Sequence, residues 1–336
     1  MNKQKILKLF LIALTSLFAT CSFALTANNG QNFKIYDTDD LKVGLGLQVS
    51  LLEGDSREMV YYTGIGQKIS ELDWDLDDVV MGGGVISVAI KNKLYINFGM
   101  WDKMKNSDGY MNDSDWLSYG DPETRTHFSR SKTSLDKGSM LDVNAAYTFI
   151  SLKGDEITSR YPEFMMNSTY TVQGIIGYKY DEFKWTANGG YYIYNTGTSY
   201  GMFDYEPGIT YEHDLSVPYC GIAFNFNNNN IGINTFFLYS KWADIDDVDT
   251  HHWRDLRYKD SFDDAQYTSY GINLNWEFIS DWSVIFSYQH ENLQKVRGDT
   301  EVIYLDGSGA AYLYPYDAGF SHKNNSYSLS VSYKFL

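Results

Sequence analysis

The sequence has few of the residues that cross-link or interrupt a fold. Its 336 residues include only 2 cysteines and 5 prolines. Cys21 falls within a predicted leader, so Cys220 alone would remain and no intrachain disulfide could form. Beyond the leader no apolar run reaches the roughly 18 residues that a membrane-spanning helix requires, and we predict no such helix.

The N-terminus has the three parts of a secretory signal. In order they are Lys3, Lys5 and Lys8, the apolar run 9–18, and Ser22-Phe23-Ala24. This order predicts a signal peptide over residues 1–24, with a small-residue cleavage site at its end. Two alternatives stay open, a lipid-modified Cys21 (which Thr20 before it fits poorly) and a retained anchor.

Basic side chains are scarce. The chain has 27 Lys and Arg residues against 43 Asp and Glu, and removing the three leader lysines leaves 24 basic residues and a net charge of −19. A strongly acidic protein lacks the basic surface that nucleic acids bind, so nucleic acid is excluded as a partner. An acidic rim would instead attract cationic peptides.

Aromatic residues are abundant. They make up 17% of the chain, with 29 Tyr and 8 Trp. A secreted chain that is rich in aromatics and glycine but lacks a hydrophobic helix is typical of outer-membrane β-barrels, whose aromatic girdles lie at both membrane interfaces. A secreted soluble β-protein is the alternative.

Alternating apolar and polar residues decide between these two. The apolar members of the four clearest segments are Leu41, Val43, Leu45, Leu47, Val49 and Leu51; Tyr270, Ile272, Leu274, Trp276 and Phe278; Val284, Phe286 and Tyr288; and Tyr327, Leu329, Val331, Tyr333 and Phe335. A period of two indicates strands with one apolar and one polar face. In a membrane barrel the apolar face contacts lipid and the polar face lines the interior. An aromatic C-terminal strand is typical of such barrels, although this one ends in Leu336 rather than Phe.

Ten segments fit this pattern, and we predict an all-β fold, a ten-stranded antiparallel transmembrane β-barrel with long extracellular loops, formed by residues 25–336 as one domain. The predicted strands are 41–63, 67–91, 94–107, 133–151, 170–195, 208–227, 230–245, 265–280, 283–297 and 322–336. The predicted outer connections are 64–66, 108–132, 196–207, 246–264 and 298–321. Short inner turns, long outer loops and an even strand count are properties of bacterial barrels. With ten strands the interior is expected to be filled by side chains.

The first acidic cluster, Asp113-Ser114-Asp115, falls on the second outer connection. It has three interpretations: a solvated acidic loop, a Ca²⁺ site, or a carboxylate pair that shares a proton and holds a water molecule because neighbouring carboxylates compete for ionisation.

The second cluster, Asp247-Val248-Asp249-Thr250-His251, falls on the fourth outer connection, at the same rim. In an extended segment Asp247, Asp249 and His251 project to one side. An Asp beside a His can orient the imidazole as a general base. A surface His among acids and a zinc site are the alternatives, but no third His lies at metal-ligand spacing, and we predict no metal.

Both clusters belong to a wider resemblance. The chain resembles the omptins, ten-stranded outer-membrane aspartate-type endopeptidases of Gram-negative bacteria. The motifs that carry the resemblance are Glu58-Met59-Val60-Tyr61, Ser70-Glu71-Leu72-Asp73-Trp74, Met111-Asn112-Asp113-Ser114-Asp115-Trp116, Gly189-Gly190-Tyr191-Tyr192-Ile193-Tyr194, Val217-Pro218-Tyr219, Trp242 and Asp247-Val248-Asp249-Thr250-His251.

The resemblance implies an outer-membrane aspartic-type endopeptidase whose site faces outside. Asp249 and His251 would form a dyad that activates water, and Asp113 and Asp115 would face them. Glu58 and Asp247 would bind an Arg or Lys of a peptide or protein substrate, as two carboxylates pair well with a cation. The prime-side acid of the family matches either Asp121 or Glu123, so the preference on that side stays open. A non-catalytic barrel that acts as an adhesin or receptor is the alternative function, and a porin ranks last.

One departure concerns lipid. Many omptins bind lipopolysaccharide through basic residues and need it for activity, but the matching positions here are Glu182, Asp214 and Asp263. We therefore expect weak lipopolysaccharide binding, binding at another place, or a requirement for a different outer-membrane lipid, with no other cofactor. We also expect a monomer.

Overall fold

The described chain is almost entirely β-strand. The structure is a computed structural model that describes residues 36–37, 41–105, 107–118, 121–154, 168–228, 230–279 and 282–333. Its strands are β1 (Tyr36–Asp37), β2 (Leu41–Tyr61), β3 (Lys68–Ile90), β4 (Leu94–Lys103), β5 (Asp108–Asp115), β6 (His127–Lys153), β7 (Ser168–Tyr194), β8 (Ser199–Met202), β9 (Pro207–Asn228), β10 (Ile231–His251), β11 (Leu256–Ile279), β12 (Trp282–Tyr304) and β13 (Ala311–Tyr333). Two 3-10 turns cover Asn195–Gly197 and His252–Arg254. The predicted signal peptide lies outside the described residues.

The strands close into a ring. Starting from β2 the neighbours are β13, β12, β11, β10, β9, β7, β6, then β4 and β5, and finally β3, which pairs with β2 again. Every pairing is antiparallel, and β4 and β5 share one position because both lie between β3 and β6. With β1 and β8 as short additions, the ring has ten positions. The predicted ten-stranded antiparallel barrel is confirmed.

The predicted bounds of the outer connections were wrong. Most of 108–132, 246–264 and 298–321 is strand, and the hairpin between β10 and β11 turns only at His252–Arg254. The long strands of the ring run to 27 residues, whereas about 10 tilted residues cross a bilayer. The barrel therefore extends well beyond the membrane. Outside lipid neither face of a strand must be apolar, so the alternating pattern fades there while the backbone pairing continues.

Side-chain orientation follows the expected alternation. Apolar residues such as Ile176 and Trp276 are exposed on the outer face, at 66% and 56%. Inside, buried Lys179 lies 2.9 Å from Asp181 and also pairs with Glu291. Buried charges persist only where they are paired in this way. Within the described residues no helix is long and apolar enough to cross a membrane.

An aromatic layer separates this polar interior from the outer end of the barrel. Its buried members are Trp74, Phe183, Trp185, Tyr211, His213, Phe262 and Phe320. Trp74 stacks on Tyr211 with ring centroids 5.2 Å apart, and Trp185 lies 6.0 Å from the same ring. Large rings buried from several strands hold the strand ends at fixed separations. This layer is the floor on which the acidic residues of the rim lie.

Candidate active site

An aspartate and a histidine near the end of β10 form a hydrogen-bonded pair. Asp249 and His251 lie two residues apart on one strand, so their side chains share a face. His251 Nε2 lies 2.6 Å from Asp249 Oδ2, and the Asp249 side chain is 0% exposed. A carboxylate at this position accepts the Nε2 proton, so Nδ1 of the neutral imidazole is the nitrogen that can accept another.

The β10–β11 hairpin fixes the orientation of this pair. Asp249 is the cross-strand partner of Tyr258, and the Tyr258 ring meets His251 edge-on at a centroid distance of 5.4 Å. The hairpin closes through Asp255, whose φ of 52° is in the left-handed region that Asp tolerates better than most residues. The imidazole is therefore held on two sides, by a carboxylate and by an aromatic ring.

Asp113 comes to the same place from β5. It pairs across the sheet with Leu72 of β3 and Ser129 of β6, and its Oδ1 is buried without a hydrogen-bond partner among the described residues. Burial raises the pKa of Asp113 to about 7, and Asp115 acts in the same direction, whereas His251 and Arg254 lower it. This carboxyl group therefore exchanges its proton near neutral pH.

A cavity that is open to solvent lies between Asp113 and His251, and both residues line it. Its other lining residues are Met111, Ser129, Ser131, Ala187, Gly189, Tyr194, Phe203, Gly208, Ile209, Trp253 and Arg254. Asp115 lies beside the cavity, where its backbone carbonyl accepts the Thr126 N–H at 2.8 Å. The two clusters that are more than a hundred residues apart in sequence thus meet at one rim of the barrel.

The predicted substrate-binding residues Glu58 and Asp247 are deeply buried. They are only 3% and 2% exposed. Asp247 Oδ2 accepts the Tyr211 hydroxyl at 3.0 Å, while Asp247 Oδ1 and Glu58 Oε2 have no partner among the described residues. Burial, reinforced by neighbouring carboxylates, raises both pKa values well above the ordinary range.

Asp260 is a third carboxylate of this group, and sequence reasoning missed it. It is the cross-strand partner of Asp247 on β11, it is 6% exposed, and its Oδ1 is unpartnered among the described residues. Burial raises the pKa of Asp260 to about 7. Asp260 lies in no Asp-x-Asp motif, and it fell within a predicted loop. Only the register of the hairpin, which opposes residues 247 and 260, could have revealed it.

Other predicted positions lie away from the cavity. Asp121 caps an exposed turn by accepting the Thr124 N–H at 3.2 Å. Glu182 and Asp214 are cross-strand neighbours on β7 and β9, and Glu182 pairs with Lys137. In the described ranges no group of three or more His, Cys, Asp or Glu side chains is arranged to hold a metal ion, and the absence of a metal stays a prediction.

Comparison with known proteins agrees with the geometry. The model of the Omptin family matches residues 38–335. The chain belongs to the omptin family. This omptin is 28% identical over 286 residues to the plasminogen activator of Yersinia pestis, covering 85% of this chain and 87% of that protein. It is 25% identical over 305 residues to the outer membrane protease OmpP of Escherichia coli K12, covering 88% of each.

The fold is similar to that of a solved omptin. The crystal structure of the outer membrane protease OmpT from Escherichia coli superposes with a TM-score of 0.77 at 21% identity, covering 94% of this chain and 99% of that one. The family and the barrel fold place the protein in the bacterial outer membrane. The resemblance seen in the sequence motifs is confirmed.

Proposed function

We propose that this omptin is an outer-membrane endopeptidase of the aspartic type that cleaves peptide bonds next to Arg or Lys. The observation that carries the proposal is the Asp249–His251 pair, bonded at 2.6 Å, whose His251 lines the same cavity as Asp113. A buried Asp–His hydrogen bond beside a second carboxyl group provides both a base and an acid within reach of one water molecule.

In the first step a water molecule between His251 and Asp113 attacks the substrate carbonyl carbon. His251 Nδ1 accepts the water proton, and Asp249 stabilises the imidazolium that forms, because a buried carboxylate close to a cation interacts strongly with it. The carbonyl oxygen becomes an oxyanion. Asp113, whose raised pKa lets it keep a proton near neutral pH, donates a hydrogen bond to that oxyanion.

In the second step the tetrahedral intermediate collapses. The imidazolium of His251 transfers its proton to the leaving amine nitrogen, and the C–N bond breaks as the carbonyl re-forms. The water proton ends on the amine product and the water oxygen on the acid product, so the dyad returns to its starting state. No covalent enzyme intermediate is required, and inhibitors that modify nucleophilic serines should have no effect.

The basic residue of the substrate would bind at Glu58 and Asp247. Each has a buried carboxylate oxygen without a partner among the described residues, and the charge of Asp249 raises the pKa of both. Buried carboxylates without partners are costly, and a guanidinium or ammonium group would satisfy them with charge-assisted hydrogen bonds. Binding of the cation would place the adjacent peptide bond at the dyad.

The test uses whole cells that display the protein and quenched peptides with a single Arg or Lys. We expect cleavage next to that residue, insensitive to serine-protease inhibitors and chelators, and lost in His251→Ala. The matched control is His252→Ala, because His252 is exposed and its Nε2 instead contacts Thr210 Oγ1 at 2.8 Å. Equal cleavage by the two variants would refute the proposal.

A further inference from the structure

The outermost part of β13 forms a free edge of the barrel wall. The β12–β13 hairpin rises above β2, which ends at Tyr61. In the described chain β13 pairs with β2 only from Ala318 inward, whereas it pairs with β12 as far out as Ala311. The segment 311–316 therefore has a neighbouring strand on one side. On its other side is a gap in the wall, above the turn between β2 and β3.

The direction of the backbone groups along this edge follows from one hydrogen bond. The Tyr304 N–H donates to the Ala310 carbonyl at 2.9 Å. Because hydrogen-bonded and non-hydrogen-bonded positions alternate along an antiparallel ladder, Ala311 and Leu313 direct their N–H and C=O groups away from β12. Within the described residues no strand pairs with them on that side. These backbone groups therefore face the gap.

The edge is open on both faces and carries no charge. Tyr312 and Leu313 are 54% and 65% exposed, and consecutive residues of a strand point to opposite faces. Free sheet edges are commonly protected by lysine or another charged residue, but residues 311–316 read Ala-Tyr-Leu-Tyr-Pro-Tyr. Pro315 stands at the next outward-facing position and blocks only the inner end. The edge can therefore accept another strand at Ala311 and Leu313.

The sheet register places this edge level with the Asp249–His251 pair. Asp249 is opposite Tyr258, and Tyr258 is opposite Val302. Val302 is in turn opposite Tyr312. This row spans three strand spacings of about 4.8 Å, or roughly 14 Å, which an extended chain covers with about four residues. A peptide held at the dyad would therefore reach the edge about four residues from the scissile bond.

The carboxylate group indicates which end of the peptide reaches the edge. Glu58 lies on β2 and Asp260 on β11, and β12 and β13 lie between these two strands in the ring. The edge is thus on the same arc as the proposed site for the basic residue. In the proposed function that residue precedes the scissile bond, at position P1. The part of the substrate near the edge is therefore the part N-terminal to P1.

We propose that the outer edge of β13, through the backbone of Ala311 and Leu313, docks an extended segment of the substrate by strand addition. The segment begins about four residues before the scissile bond, and the inference rests on the proposed function. Main-chain hydrogen bonds give affinity for an extended backbone with little regard to its side chains. The substrates implied are unstructured protein segments long enough to reach both sites, in preference to short peptides.

The first experiment varies the substrate backbone. Quenched peptides share Arg at P1 and have either two or nine residues before it. We expect kcat/KM to be about tenfold higher for the long peptide, the effect of one or two additional hydrogen bonds. Of two long peptides that are N-methylated at alternate residues beyond P4, one set odd and the other even, only one should lose this advantage, because alternate residues of an added strand face β13. Equal kcat/KM for the long and short peptides, or equal losses in both methylated peptides, would overturn the inference.

The second experiment varies the edge. Leu313→Pro removes an outward N–H and no hydrogen bond to β12, whereas Leu313→Ala shortens the side chain and keeps the N–H. We expect Leu313→Pro to bring the ratio of long-peptide to short-peptide kcat/KM close to one, and Leu313→Ala to retain the ratio. An equal fall of the ratio in both variants would indicate a side-chain contact and would overturn strand addition. Migration of unheated samples on gels confirms that each variant barrel is folded.

The outcomes separate the two proposals. If neither peptide is cleaved next to Arg, the proposed function fails. If both are cleaved equally well, the function stands and only the docking inference fails. A second copy of the chain is the other occupant that an open edge could take. If Leu313→Pro dissociates a dimer in detergent, measured by light scattering, and leaves the peptide ratio as it was, the edge is an interface between copies and the inference is overturned.

Discussion

The Asp249 carboxylate is sealed from solvent, yet the His251 imidazole that it holds at 2.6 Å lines an open cavity. A buried partner of this kind fixes the tautomer of the ring without competing for the substrate. Replacing Asp249 by Asn should keep the shape but favour the wrong tautomer, which in Ser-His-Asp enzymes costs about 10⁴-fold in rate. We expect kcat to fall by roughly 10³-fold or more with KM little changed. Asp246→Asn, an exposed neighbour on the same strand, is the control; equal activity of the two variants would exclude the dyad.

The pH dependence of activity should be bell-shaped. His251 must be neutral to act as a base, so activity falls in acid, and Asp113 must be protonated to donate to the oxyanion, so activity also falls as pH rises beyond the Asp113 pKa of about 7. Arg254 lowers that pKa. Arg254→Gln should therefore move the alkaline limb of kcat to higher pH, measured on a peptide with neutral P1′. An unmoved or downward-shifted limb would contradict the assignment of Asp113.

The membrane half of the barrel was predictable and the outer half was not. Lipid demands apolar residues on one face, so segments such as 270–278 and 284–288 show their strands in the sequence. Above the membrane no lipid requires one face of a strand to be apolar, and we therefore predicted β5 and the hairpin around His252–Arg254 as loops. Their strand structure depends on pairing with β3, β6 and β9, which no local pattern encodes.

The site was predictable where it depends on local spacing. Alternation along the strand places Asp249 and His251 on one face. Because consecutive strands run in opposite directions, the connections that carry Asp113 and His251 come to the same rim. The depth of Glu58 and the presence of Asp260 depend instead on how strands from distant parts of the chain are aligned. The cavity lining is likewise assembled from five chain segments, and no motif joins Phe203 to Trp253.

Asp260 should contribute to recognition of the basic residue. Its buried Oδ1 lacks a partner among the described residues and belongs to the same carboxylate group as Asp247. Asp260→Asn removes one charge and should raise KM for an Arg peptide by about tenfold, the effect of one lost charge-assisted hydrogen bond. A peptide with citrulline, the neutral isostere of Arg, should show no such increase. Asp264→Asn, on the same strand but exposed, is the control, and an equal change for both peptides would contradict a role in charge recognition.

Lipopolysaccharide should not strongly stimulate this omptin. Glu182 and Asp214 are adjacent across β7 and β9, and Asp263 is exposed on β11. Three carboxylates at these positions repel lipid phosphates unless divalent cations bridge them. Adding purified rough lipopolysaccharide to detergent-refolded protein with a chelator present should give no large activation. The triple variant Glu182→Arg, Asp214→Arg and Asp263→Arg should acquire lipopolysaccharide-dependent activity, because Arg pairs with phosphate. Large activation of the unmodified protein would refute the hypothesis.

The buried carboxylates should make the folded barrel less stable at alkaline pH. The pKa values of Asp113 and Asp260 are about 7 in the folded protein, above the roughly 3.9 of an unfolded chain. Groups raised in this way stabilise the fold fully below about pH 4, and that contribution is lost as pH rises through about 7. We expect the incubation temperature at which the folded band disappears from gels to be lower for samples heated at pH 8 than for samples heated at pH 5. Asp260→Asn should raise it at pH 8 by about 2 °C or more and reduce its dependence on pH, whereas Asp264→Asn should not. A lower midpoint for Asp260→Asn at pH 8 would show that this carboxylate stabilises the barrel, contrary to its burial beside Asp247.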